Sequence, residues 1–93
     1  MPVLNSGQVR LWKAEDGVAK FAVFEVANFD TGDTIDFGVA ELATHFSSIK
    51  FAYVAAVTGL KAGTCTVSGL VVTLAPASMV DEGGYLVVYG ATA

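Results

Sequence analysis

The chain has 93 residues, enough for one domain with one modest core, and a formal net charge of −4. Its five basic residues, Arg10, Lys13, Lys20, Lys50 and Lys61, are scattered rather than striped, which argues against a nucleic-acid partner. Apolar residues make up 54% and charged ones only 15%, where an ordinary soluble domain has roughly 25% charged. A folded monomer of this mass exposes about 5,000 Å², more than so few charges can cover, so association with further copies or with a larger assembly is expected.

Residues 1–7 include Pro2, Asn5, Ser6 and Gly7 and carry no periodicity. A frayed terminus and an arm docking on a neighbouring subunit both fit them. The start lacks the basic and apolar regions of a secretory signal, and no apolar run reaches the ~18 residues of a membrane span. Residues 8–13 alternate, with Val9, Leu11 and Lys13 opposite Gln8, Arg10 and Trp12, and predict a peripheral strand. Asp16-Gly17 then signals a tight turn.

A longer strand is predicted over 19–27, with Ala22, Phe24 and Val26 as the purer apolar face and hence the core side. A polar turn around Gly32 leads to a short strand at 34–37. Val39, Leu42, Ala43 and Phe46 recur at helical spacing, so one or two helical turns are expected at 39–46. Residues 49–57 form the most apolar strand. Ile49, Phe51, Tyr53, Ala55 and Val57 face one way, and Lys50, Ala52, Val54 and Ala56 the other. Such a strand is either central or covered by another subunit on its second face.

Residues 63–74, GTCTVSGLVVTL, read as a hairpin. Val67-Ser68-Gly69-Leu70 forms the turn, Val67 faces Leu70, and Gly69 supplies the positive φ. Cys65, Val67, Leu70, Val72 and Leu74 then share an apolar face, which makes Cys65 a buried small hydrophobe rather than a reactive thiol. Pro76 ends the strand, and residues 77–84 form a loop. The last strand, 85–90, sets Tyr85, Val87 and Tyr89 against Leu86, Val88 and Gly90. About seven short strands punctuated by glycine turns predict a single all-β domain over 1–93, a small antiparallel β-sandwich or barrel.

Signs of chemistry are sparse. His45 is the sole histidine, and Glu41 four residues earlier could share its face, but a Glu–His pair alone is no catalytic site. There is no nucleophile elbow, phosphate loop or Cys-x-x-Cys pair, so neither catalysis nor a cofactor is expected. One Cys and one His exclude a structural zinc site within the chain. Asp30, Asp33 and Asp36 stand three apart around a glycine turn, and calcium takes oxygen ligands from such loops. Strand alternation points Asp33 and Asp36 to opposite faces, however, and solvated turn acids are the simpler reading.

Among the aromatics, Phe21, Phe24, Phe37 and Phe51 are expected in the core and the tyrosines at its margin. An exposed platform of Trp and Tyr would instead suit a carbohydrate-binding module. Trp12, beside Arg10 on its face, fits a protein contact.

The run TVSGLVVTLAPASMVDEGGYLVVYG at 66–90, with the short alternating strands before it, resembles the small all-β structural proteins of tailed bacteriophages, especially head decoration (capsid cement) proteins. The resemblance implies a virion subunit that is made in the host cytoplasm and stabilises a shell by protein–protein contacts. The major capsid protein, or another virion protein, would be its partner. A tail- or adaptor-associated virion component shares that logic. Self-association is expected, with a trimer favoured, through Lys50, Ala52, Val54 and Ala56 on one strand, Tyr85, Val87 and Tyr89 on another, and Trp12.

Overall fold

The computed structural model describes residues 4, 8–15, 19–38, 42 and 45–92. The Asp16-Gly17 turn and most of the segments 1–7 and 39–46 therefore lie outside the described residues. Among the described residues eight strands form: β1 (Val9–Glu15), β2 (Ala19–Phe29), β3 (Thr34–Asp36), β4 (Phe46–Ala56), β5 (Lys61–Thr64), β6 (Thr66–Ser68), β7 (Val71–Thr73) and β8 (Glu82–Thr92). They build two antiparallel sheets of unequal size. The larger has the order β1-β2-β8-β4-β5 and the smaller β3-β7-β6. This is the all-β antiparallel architecture that the alternation predicts; of the sandwich and barrel alternatives, two separate sheets form.

The chain passes between the sheets at Cys65. Residues on its N-terminal side pair with β4, and those on its C-terminal side pair with β7. The Cys65 N–H donates to the Ala52 carbonyl at 2.9 Å, which pins the corner to the larger sheet. The predicted hairpin strand is thus split in two, and its register also differs from expectation. Ser68 pairs with Val71 and Val67 with Val72, so Gly69 (φ +60°) and Leu70 form the turn. Moving the turn by one residue on both arms changes the register by two, and side-chain parity survives an even shift. Val72 and Leu74 are accordingly buried, and Cys65, Val67 and Leu70 pack against the same core.

On the larger sheet, Ala22, Phe24 and Val26 of β2 face inward with Leu86 and Val88 of β8. Phe24, Phe37 and Phe46 contact one another at centroid separations of 5.1 and 5.7 Å, one pair tilted and the other edge-on. These rings occupy so much of the space between the sheets that β4 contributes small side chains opposite them. Ala52, Val54 and Ala56, expected at a subunit contact, are core residues at 1%, 0% and 1% exposure. Glycine serves the same close packing in β8, where a Cβ at Gly84 or Gly90 would overlap the carbonyl oxygen of Ala55 or Ser48 on β4.

Of the segment predicted as helical, Leu42 and Phe46 are buried and the His45 N–H reaches the Leu42 carbonyl at 3.4 Å. Phe46 already opens β4. Leu4, near the start, is buried, and its N–H donates to the Thr34 carbonyl at 2.8 Å. β8 begins three residues earlier than expected, taking in Glu82, Gly83 and Gly84.

Val54→Asp would place a carboxylate without a partner at the centre of this core. The desolvation cost, several kcal/mol, is a large part of a total stability of about 5–15 kcal/mol. The expected outcome is loss of the cooperative thermal transition in circular dichroism. A transition within a few degrees of wild type would contradict the assignment of Val54 to the core.

Candidate functional site

Strand alternation that sends Ala22, Phe24, Val26, Leu86 and Val88 inward sends their neighbours to the opposite face of the larger sheet, and among the described residues no second sheet covers that face. Three rows cross it by cross-strand pairing. Phe21 lies beside Tyr89, and Tyr89 beside Phe51; Val23, Val87 and Tyr53 form the next row, and Glu25, Tyr85 and Ala55 the third. A bulge in β1 adds to the face. The β1–β2 register shifts between Leu11 and Lys13, so Lys13 pairs with Val23 on the outer side instead of following Val9 inward. Trp12, at the bulge, sets its ring 5.8 Å from that of Tyr85.

Trp12, Phe21, Phe51, Tyr53, Tyr85 and Tyr89 are between 37% and 62% exposed. At roughly 200 Å² per aromatic side chain, the six leave on the order of 550 Å² uncovered, near the top of the range for the largest apolar patch on a typical monomer. Total accessible surface is 4900 Å², close to the value expected from mass, and six of the ten exposed large hydrophobic side chains among the described residues stand on this face.

Of the eight residues expected at a contact, Trp12, Tyr85, Val87 and Tyr89 lie on this face. Ala52, Val54 and Ala56 lie beneath it in the core, and Lys50 is exposed at a second irregularity, between Ile49 and Phe51 of β4. Sequence reasoning missed Phe21, Phe51 and Tyr53 as surface residues. Their parity was the available signal, since Phe21 shares a face with Glu25, and Phe51 and Tyr53 alternate with Ala52 and Val54. Expecting the larger side chains to be core outweighed it.

The acids at 30, 33 and 36 do not converge. Asp30 Oδ1 accepts from the Asp81 N–H (2.6 Å), Asp33 Oδ2 from the Asp30 N–H (2.8 Å) and Asp36 Oδ1 from the Gly38 N–H (2.8 Å). Each carboxylate caps backbone in a turn. Among the described residues no group of three or more His, Cys, Asp or Glu is placed to hold a metal ion, and no helix is long and apolar enough to cross a membrane. His45 is half-buried, edge-on to Phe24 at 5.2 Å, with Nδ1 3.5 Å from Lys20 Nζ. The Cys65 thiol is half-buried, and desolvation pushes its pKa up to about 11, which keeps it protonated and unreactive at neutral pH.

At one end of the face, Glu82 ties down the turn between β4 and β5. Its carboxylate accepts from Thr58 Oγ1 at 2.5 Å and lies 3.7 Å from Lys61 Nζ. The same turn leaves Leu60 90% exposed at φ +52°.

Compared with known proteins, the chain matches no family model, and it has no significant match among curated proteins or solved structures.

Hydrogen bonding from Thr58 is the main cause holding the Glu82 carboxyl below its ordinary value. The stability Glu82 contributes is therefore complete above the unfolded-state pKa of about 4.3 and is lost as pH falls through the lower folded-state value. In melts run from neutral pH to about pH 3, wild type should lose more stability at the acid end than Glu82→Gln does. Parallel curves for the two proteins would contradict this role.

Proposed function

We propose that this protein is a structural assembly subunit that works through protein–protein contact, of the virion-decorating kind its sequence resembles. The observation that carries the reading is the outer face of the larger sheet, where five aromatic side chains lie in register across neighbouring strands with Val23 and Val87 between them, and Trp12 joins them at the β1 bulge. Aromatic residues are enriched at the desolvated centres of protein interfaces. A flat sheet face of this kind packs on another at about 10 Å separation, as the layers of a sandwich do.

A second copy of the chain is the occupant we favour. Covering about 550 Å² on each of two copies buries about 1,100 Å² in total, enough area for a specific interface. At the face's β1 edge Arg10 and Glu25 form their own 3.0 Å ion pair, and Lys13 stands beside Val23 at the rim of the middle row. A face that packs on its own copy does so about a twofold axis. A trimer would instead join this face to a different surface of the neighbour. Either assembly presents repeated copies to a symmetric shell, as a decoration subunit requires.

Phe51→Asp and Tyr89→Asp alter exposed positions and should leave the β-sheet circular dichroism intact. Light scattering after size exclusion is expected to give a multiple of the chain mass for wild type and the single-chain mass for both variants. A wild-type monomer at millimolar concentration, or variants that keep the wild-type mass, would overturn the proposal.

A further inference from the structure

Beyond the assembly reading, a groove at one end of the outer face has the chemistry of a ligand site. β2 and β8 pair regularly as far as Val26 and Gly84, then lose register and resume at Phe29 and Glu82. Between those points the two strands part, and a depression of about 450 Å³ opens on the surface, within the range of small-molecule sites. Gln8, Arg10 and Glu25 line one side, Val57 and Thr58 the other, and Tyr85 closes the end toward the aromatic rows.

The groove depends on a missing side chain. Gly83 has no left-handed φ that would demand glycine, and a Cβ there would meet only the Val26 carbonyl oxygen within 4 Å, at 3.9 Å. Gly84 beside it is different, because β4 leaves no space for a Cβ. Glycine at 83 is thus explained by neither backbone conformation nor packing. What its absent side chain provides is open volume.

The polar groups are a matched pair. Arg10 Nη2 lies 3.0 Å from Glu25 Oε1 across β1 and β2. An exposed ion pair of this kind contributes little to stability, but it fixes a planar donor array next to a carboxylate acceptor. A simple anion meets Glu25 and a simple cation meets Arg10, so the pair favours a neutral ligand whose groups both donate and accept. Hydroxyl groups do both. The Tyr85 ring in the groove lining, backed by Trp12 at 5.8 Å, supplies an apolar surface for the C–H face of a ring.

We infer that the groove between Arg10–Glu25 and Thr58, lined by Gly83 and Tyr85, binds a neutral saccharide. Adjacent hydroxyls would bond to Arg10 and Glu25 while the sugar ring lies against the aromatic edge. The groove's polar groups lie at the end of the sheet, beyond the central rows of Phe21, Val23, Phe51 and Tyr89, so variants at Arg10 and Gly83 test sugar binding apart from self-association, whereas Tyr85 and Trp12 are shared by both.

The test screens the full chain on a printed array of neutral oligosaccharides, then titrates the strongest binder by calorimetry. Gly83→Val fills the groove with a side chain suited to a strand, and Arg10→Ala removes the donor array from a side chain that is 76% exposed. Both variants should keep the wild-type circular dichroism and solution mass while affinity falls by at least about tenfold, a change calorimetry resolves readily. If Gly83→Val fails to fold, Arg10→Ala and Glu25→Ala carry the comparison. An array with no signal overturns the inference, as does binding that Arg10→Ala and Glu25→Ala leave unchanged.

Discussion

The unequal size of the two sheets governs the molecule. Three short strands can cover one face of a five-stranded sheet, and they cover the face bearing Phe24, Val54, Leu86 and Val88. Side chains alternate along a strand, so the same choice fixes what remains outside. β8 shows the constraint most clearly because it pairs with β2 on one edge and β4 on the other. Its inward residues are Gly84, Leu86, Val88 and Gly90, and its outward ones Tyr85, Val87 and Tyr89. Neither set can be exchanged for the other, since a one-residue slip would bring tyrosine rings into a space where glycine is required.

Much of this was legible in the residues. Alternation separated Ala22, Phe24 and Val26 from Phe21, Val23 and Glu25, and it placed Tyr85, Val87 and Tyr89 together. The apolar face around Val67 and Val72 was also readable, even though the turn lies one residue further on than expected, because parity is insensitive to an even change of register. The sheet corner at Cys65 was not readable. A strand that leaves one sheet for the other keeps its alternation, and only its hydrogen-bonding partners change. Nor did any local pattern announce the bulge at Trp12, which depends on how β1 meets β2.

The contact surface was half legible, for a reason rooted in packing. Expecting large side chains inside and small ones at contacts assigned Ala52, Val54 and Ala56 outward and Phe21 and Phe51 inward. Phe24, Phe29, Phe37 and Phe46, which come from β2, the segment after β3 and β4, already fill the space between the sheets. Interiors are packed at near-crystalline density, so the remaining inward positions had to be small. Size therefore says little about side until the opposing layer is known, whereas parity says much. The groove beside Gly83 was likewise unreadable. Gly83-Gly84 looks like a loop in sequence, and its place inside β8 is set by pairing with strands that precede it by more than twenty residues.

The most direct test of an outer face that works by being covered uses Trp12, the chain's one tryptophan, which stands on that face beside Tyr85. Its fluorescence and its quenching by acrylamide would be followed over a dilution series, with solution mass measured on the same samples. A covered face predicts shielded, blue-shifted emission wherever the mass exceeds that of one chain, with exposure of the indole appearing only as the mass falls to that of one chain. Freely quenched emission at every concentration, together with the mass of a single chain throughout, would contradict it.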